Sequence, residues 1–74
     1  MQNAMGLRLN DTDEAIVEEL REGRVTPHYL AEQTGKSREY VSERLRRLLE
    51  HGYVERLAPG LYELKEDPTD DSDG

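Results

Sequence analysis

The stretch VTPHYLAEQTGKSREYVSERLRRLLEHGYV, residues 25–54, contains two helix starts in close succession. Thr26 and Pro27 predict the first start, because a threonine side chain caps a helix and proline fits its first turn. Gly35 then ends the helix, since glycine readily takes up the left-handed conformation that follows many helices. The pattern predicts a helix of only two turns over about 27–34.

A second helix follows directly after the short turn 34–36. Ser37 supplies its cap, and Gly52 lies where the helix must end, so we predict a helix over about 37–51. The buried side of this helix is an apolar stripe at helical spacing, formed by Val41, Leu45 and Leu48. Two short helices joined by a tight turn that contains glycine form a helix-turn-helix unit.

A further helix precedes this unit. Asp11 and Glu14 have the spacing of a capping box, and Gly23 follows the last charged turn. Apolar residues recur between them at helical spacing, which predicts a helix over about 12–22. Residues 24–25 read as a short extended connector, long enough for one strand pair.

The pattern beyond the unit changes from helical to nearly alternating. The segments YVERL (53–57) and LYEL (61–64) flank a three-residue tip, Ala58-Pro59-Gly60, and predict a β-hairpin. Because the chain has no Phe or Trp, we expect Tyr53 and Tyr62 to complete the core. We expect Tyr29 to be partly buried between the first two helices.

These elements predict a mainly α-helical fold with a small β-hairpin, which is the winged helix-turn-helix arrangement. The domain would span residues 11–65. Residues 1–10 would form an N-terminal arm. Residues 66–74 have no apolar side chain apart from Pro68 and predict a disordered acidic tail.

The composition excludes several classes of function. The chain has no cysteine, and its two histidines lack ligand spacing, so we expect no metal and no cofactor. It contains no set of residues typical of a nucleophilic triad or a phosphate loop, and we expect no enzymatic activity. It also contains no membrane-length apolar run and no signal peptide, which predicts a cytoplasmic protein without a membrane partner.

Charge is distributed unevenly along the chain. The formal net charge is -7, yet residues 36–47 hold five cations and only two anions. The ratio of eight arginines to two lysines beside seventeen acidic residues resembles proteins of extremely halophilic archaea. A mesophilic protein with an acidic tail is the alternative interpretation.

Residues 12–65 resemble the winged helix-turn-helix transcription regulators of archaea. The pattern VTPHYLAEQTGKSREYVSERLRRLLEHGYVERLAPGLYEL is similar to the halophage repressor-like proteins, and the MarR and ArsR groups share the layout. The resemblance implies repression of transcription by a homodimer bound to double-stranded DNA. The chain lacks room for the flanking helices of larger MarR-type proteins, so we expect no small-molecule effector.

The candidate base readers of helix 37–51 lie opposite its apolar stripe, on one flank of the helix (Ser42), and in its N-terminal turn (Ser37 and Arg38). In a helix-turn-helix the second helix enters the major groove with its N-terminal part at the base edges. Arginine can bond guanine, glutamate can accept from cytosine, and serine can serve either base. The candidates are Ser37, Arg38, Glu39, Ser42, Glu43 and Arg46. The alternative is a solvated face, in which Glu43 pairs with Arg46 or Arg47 along the helix.

Further candidates would contact the DNA backbone or flank the readers. Tyr40 could bond a phosphate, and Arg47 lies on the same flank of the helix. Arg56 on the hairpin could reach phosphate, or could instead pair across the strands with Glu63. Thr26 stands at a helix start that attracts anions. Arg44 lies nearest the core edge, where a structural role or a phosphate contact is expected.

The function predicted from these residues is sequence-specific binding of double-stranded DNA by a transcription regulator, acting as a repressor. The alternative is a winged helix that binds another protein without specific DNA binding, because function depends on the site rather than on the fold.

Overall fold

The computed structural model describes residues 8–68, in which three helices are followed by a two-stranded hairpin. The elements are α1 (Asp11–Glu22), α2 (Pro27–Thr34), α3 (Arg38–Glu50), β1 (Val54–Ala58) and β2 (Leu61–Leu64). The predicted fold class, a winged helix-turn-helix, is therefore confirmed.

One apolar core joins the helices to the hairpin. It is formed by the buried residues Ile16, Leu20, Val25, Leu30, Val41, Leu45, Leu48 and Val54. The predicted stripe of α3 is completely buried in it. Tyr53 and Tyr62 pack against this core as partly buried side chains, as the sequence predicts. Each fully buried aliphatic side chain contributes about 1.5–3 kcal/mol, so burial of its stripe in this core holds the orientation of α3.

The two helices of the helix-turn-helix begin at the predicted caps. The Thr26 hydroxyl accepts from the Tyr29 N–H at 3.1 Å, and the Ser37 hydroxyl accepts from the Tyr40 N–H at 3.0 Å. Gly35 has φ 74°, the left-handed conformation that ends α2. α3 is one residue shorter at each end than predicted, because Ser37 and His51 are its caps.

The start of α1 differs from the prediction by one residue. Asn10, not Asp11, is the cap, and it forms a reciprocal capping box with Asp13. The Asp13 N–H donates to the Asn10 side chain at 2.7 Å, and the Asn10 N–H donates to the Asp13 carboxylate at 3.0 Å. This register prevails because it directs Asp13 inward, where its carboxylate has a further partner.

The hairpin is tighter than predicted. Ala58 pairs with Leu61, so the tip has two residues rather than three, and the register shifts at Leu57 as a bulge. The predicted connector pairs with the hairpin through one bridge, in which Val25 and Tyr62 exchange backbone hydrogen bonds of 3.0 and 2.9 Å. This bridge attaches the hairpin to the segment between α1 and α2.

Tyr29 differs from its predicted position, and the structure decides between the two interpretations of Arg56 only by excluding one pairing. Tyr29 is exposed rather than partly buried, because its hydroxyl reaches out to donate to Glu19 at 3.1 Å. Arg56 stands opposite Tyr62 in the hairpin, and the alternative pairing with Glu63 does not form. The carboxylate of Glu63 instead accepts from Arg24 at 3.0 Å.

The first residues of the predicted acidic tail contact the folded domain. The Glu66 N–H donates to the Tyr53 carbonyl at 3.0 Å, and Arg21 donates to the Asp67 carboxylate at 2.6 Å. These two residues therefore contact the domain, and the disordered acidic tail stays a prediction. Residues 69–74, and most of the predicted N-terminal arm, lie outside the described residues.

Candidate nucleic-acid interface

An open groove runs between the exposed side of α3 and the hairpin. Six of its lining residues come from α3 and two come from the hairpin. They are Arg38, Glu39, Ser42, Glu43, Arg46, Leu49, Arg56 and Tyr62. The structure therefore brings six of the ten predicted DNA-binding residues to one concave surface, which holds three of the eight arginines of the chain.

Local geometry explains why these side chains meet. Burial of the apolar stripe turns the opposite side of α3 outward, because helix residues three and four apart share a face. In β1, Arg56 lies two residues beyond the buried Val54 and so projects from the same side of the strand. Arg56 is thereby directed to the groove beside its cross-strand partner Tyr62.

Arg46 is held within the groove by two carboxylates of its own helix. It donates to Glu43 at 2.7 Å and to Glu50 at 2.9 Å, while Arg47 approaches Glu43 at 3.6 Å. The hydrogen bond from Arg46 lowers the pKa of Glu43, and the same bond raises the pKa of the Arg46 guanidinium. Both groups therefore remain charged at neutral pH, and their charges cancel locally.

Arg38 and Arg56 differ from Arg46 in this respect. Within residues 8–68, neither forms an ion pair with a carboxylate, and both side chains are exposed. Arg38 is the first residue of α3, and Arg56 lines the same groove from the hairpin. These two guanidinium groups can donate hydrogen bonds to a new anionic or base partner without breaking an existing ion pair.

Four of the predicted residues do not line the groove. Thr26 and Ser37 use their hydroxyl oxygens as helix caps, although each hydroxyl can still donate. Tyr40 and Arg47 are exposed beyond the groove, and the Tyr40 hydroxyl accepts from the Asn10 side chain at 2.9 Å. Contact of these four residues with a DNA backbone stays a prediction.

Arg44 positions α3 rather than facing the groove. It donates to the Asp13 carboxylate through two bonds of 2.7 and 2.6 Å. Asp13 is completely buried, and the Arg44 side chain is 15% exposed. The hydrogen bond to Asp13 raises the pKa of Arg44, against the opposing effect of burial. Of the two expected roles of Arg44, the structure therefore shows the structural one, in which it joins α3 to α1.

Sequence reasoning missed two residues of the groove. Leu49 is 36% exposed and lines it, although it adjoins the buried stripe in sequence. Its position on the helical wheel, on the same flank as Ser42, could have indicated this. Tyr62 contacts the core, as the sequence predicts, but it also lines the groove because it is only partly buried.

Other kinds of site are not found in the described part of the chain. Residues 8–68 contain no group of three or more metal-ligating side chains. None of their helices is long and apolar enough to cross a membrane.

Comparison with known proteins agrees with the geometry. The family model described as winged helix-turn-helix DNA-binding matches residues 9–55, more than half of the chain. Searches of curated proteins and of solved structures give no significant match. The matched segment includes all three helices and ends within β1. The rest of the hairpin lies beyond the match and is seen in the structure. The chain belongs to the winged helix-turn-helix DNA-binding family.

Proposed function

We propose that this protein is a sequence-specific transcription regulator that represses its target as a homodimer on double-stranded DNA. The observation that carries the proposal is the groove in which Arg38, Arg46 and Arg56 are brought together by two separate elements. α3 would enter the major groove, with the hairpin along the neighbouring backbone, which is the docking geometry expected of a helix-turn-helix.

The groove offers suitable partners for base edges. A bidentate arginine–guanine contact contributes about 1–3 kcal/mol of discrimination, and glutamate can accept from the amino group of cytosine. Arg38 and Ser42 would read bases near the start of α3, with Glu39 beside them. This set of side chains favours a site that contains G·C pairs.

Backbone contacts would surround the base readers. Arg56 from the hairpin and Arg47 from the outer flank of α3 would each neutralise a phosphate. Tyr40 and Ser37 can donate their hydroxyl hydrogens to phosphate oxygens, since their oxygens already accept bonds within the protein. Thr26 stands at the start of α2, where backbone N–H groups attract anions.

Salt would decide whether an acidic protein can approach DNA. At molar salt the Debye length falls to about 3 Å, so repulsion between the acidic body and phosphate is nearly abolished. Short-range arginine contacts would then carry recognition, as the halophile-like composition suggests. An affinity that falls steeply as KCl rises from 0.1 M would contradict this part of the proposal.

The test is a selection of bound fragments from sheared genomic DNA at molar KCl, read by sequencing. Circular dichroism in the same buffer first establishes that the protein is folded. We expect an enriched inverted repeat, whose half-site spacing gives the geometry of the dimer. Enrichment of a single unrepeated site would contradict the homodimer, and no enrichment by folded protein would contradict specific DNA binding. Repression is tested separately, by transcription of the adjoining gene in vitro with and without the protein.

A protein-binding module is the second candidate. One observation favours it: the exposed side of α3 carries Glu39, Glu43 and Glu50, and the hairpin tip Pro59-Gly60 has no charge. An interface of mixed charge suits a protein partner as well as DNA. Arg38→Ala separates the two candidates, because it must weaken DNA binding if the groove reads DNA and must leave it unchanged if the groove binds a protein.

A further inference from the structure

The middle and end of α3 carry four charged side chains that neutralise one another. Glu43 bonds Arg46 at 2.7 Å and approaches Arg47 at 3.6 Å, while Glu50 bonds Arg46 at 2.9 Å. Two cations and two anions leave this cluster without net charge. All four side chains are 44–57% exposed, and Glu43 and Arg46 line the groove that the proposed DNA would enter.

We propose that Glu43 is a specificity-determining residue, which restrains Arg46 and so suppresses binding to phosphate in favour of binding to bases. This inference rests on the proposed function, because it requires that the groove bind DNA. Glu43 is singled out from the cluster because it alone lines the groove while contacting both Arg46 and Arg47.

The difference between phosphate and base edge explains the effect. Binding to phosphate is driven by the release of counterions when free cations neutralise the backbone. An arginine already paired with a carboxylate releases few counterions, and the carboxylate itself repels the phosphate. A base edge carries no net charge and offers both acceptors for Arg46 and, at cytosine, a donor for Glu43.

The position of the pair along the helix supports a restraining role. Glu43 is three residues before Arg46, and Glu50 is four residues after it, so the guanidinium is bonded from both sides. Side chains three and four residues apart on a helix lie next to each other. Arg46 therefore has a carboxylate partner on each side along α3, and a contact with a phosphate outside the groove competes with these two bonds.

The test compares Glu43→Gln with Glu14→Gln. Glutamine keeps the size of residue 43 but removes its charge, and Glu43 is 44% exposed, so the variant should fold. Glu14 is an exposed residue of α1 outside the groove, and its substitution changes the net charge by the same amount. Each variant and the wild type are titrated with the selected duplex and with a scrambled duplex over a series of KCl concentrations.

The expected result is stronger binding of the scrambled duplex by Glu43→Gln. A released Arg46 that makes one extra phosphate contact steepens the plot of log affinity against log salt by about 0.9. The advantage of Glu43→Gln over the wild type should therefore grow about eightfold for each tenfold fall in KCl. Its preference for the selected duplex should fall, while Glu14→Gln should match the wild type within about twofold and keep the wild-type slope.

The possible failures are distinguishable. If the wild type discriminates between the duplexes but Glu43→Gln has the salt slope of Glu14→Gln, this inference is overturned and the proposed function stands. Unchanged or weaker binding of the scrambled duplex by Glu43→Gln would also overturn this inference and leave the proposed function standing. If folded wild-type protein binds neither duplex, both the proposed function and this inference are overturned.

Discussion

Arg44 and Arg46 lie two residues apart on α3, and each is held by carboxylates at distances of 2.6–2.9 Å. The Arg44 side chain is 15% exposed and its partner Asp13 is completely buried, whereas Arg46 and Glu43 are 55% and 44% exposed. The same chemistry therefore serves two purposes. On the buried flank it fixes the helix, and on the groove flank it leaves an arginine that can change partners.

The separation of the partners along the chain reinforces this difference. Arg44 and Asp13 are 31 residues apart, so their pair joins α3 to the start of α1. Arg46 pairs only with residues three before and four after it, so its pairs stabilise α3 alone. Surface pairs of this local kind are screened by water and salt, so Arg46 can exchange them for contacts with DNA.

The largest effect is expected from breaking the buried pair. Asp13→Ala removes the partner of Arg44 and one half of the capping box at Asn10. Removing one member of a buried ion pair destabilises by about 3–5 kcal/mol, because the other charge is left without compensation. We expect a loss of about 3 kcal/mol, measured by urea denaturation, since Arg44 lies at the edge of the core and can turn toward water.

A double variant provides the control. Arg44→Met combined with Asp13→Leu replaces both charges by apolar side chains, which is often neutral when a buried pair is replaced. It should be more stable than Asp13→Ala alone, although it still lacks the capping carboxylate. If Asp13→Ala unfolds at the same urea concentration as the wild type, the buried pair is not what holds α3 to α1.

The next effect compares the DNA affinity of two variants on α3, one inside the groove and one outside it. Arg46→Ala should weaken binding of the selected duplex by roughly tenfold to hundredfold, as expected for loss of an arginine–base contact. Arg47→Ala removes the same charge one residue away, outside the groove, and should cost only a single phosphate contact. Fluorescence anisotropy measures both affinities. Equal losses, with equal changes in salt slope, would mean that the groove flank has no special role.

The contact between the start of α1 and α3 can be tested at Asn10. Its side chain caps α1 and also donates to the Tyr40 hydroxyl at 2.9 Å. Asn10→Ala should lower the free energy of unfolding by about 1 kcal/mol, the usual cost of losing a helix cap. Tyr40→Phe removes only the second bond, which is exposed, and should cost less by the same thermal or urea measurement. A larger effect of Tyr40→Phe would show that the cap is not the main contribution of Asn10.

The smallest effect concerns the titration of Glu43. The hydrogen bond from Arg46 lowers the pKa of Glu43, so its contribution to stability is present above the ordinary glutamate pKa and is lost as pH falls through the lowered value. In Arg46→Ala the pKa of Glu43 should rise toward its ordinary value. NMR titration of the side-chain carboxyl carbon detects the change. An unaltered Glu43 pKa would mean that Arg46 does not hold this carboxylate in solution.

Local signals in the sequence were sufficient for most of the fold. Thr26, Ser37 and Gly35 are decisive because a cap or a left-handed glycine acts within three or four residues. The start of α1 was harder, since Asn10 with Asp13 and Asp11 with Glu14 both have the spacing of a capping box. The choice depends on the contact of Asp13 with Arg44, which no local pattern contains.

The candidate site was predictable where helical periodicity determines it. The buried stripe of α3 places Glu39, Glu43 and Arg46 on the outer side, and the groove contains all three. Arg38 lines the groove from the first turn of α3. The hairpin contribution was less predictable, because the bulge at Leu57 and the tip of two residues set which side chain stands opposite Arg56. The sequence does not determine which arginine pairs with Glu43, because Arg46 and Arg47 both lie within its reach. The two bonds of Arg46 are therefore known only from the structure.

The central claim is that the groove between α3 and the hairpin contacts DNA. The most direct test is the affinity of Arg38→Ala/Arg56→Ala for the selected duplex, compared with a control that removes arginine charge elsewhere. The control is Arg24→Ala, whose side chain is 65% exposed, pairs with Glu63 and lies outside the groove. We predict a loss of at least about thirtyfold for the double variant and less than about threefold for Arg24→Ala. Similar losses in the two proteins, both folded by circular dichroism, would contradict the account.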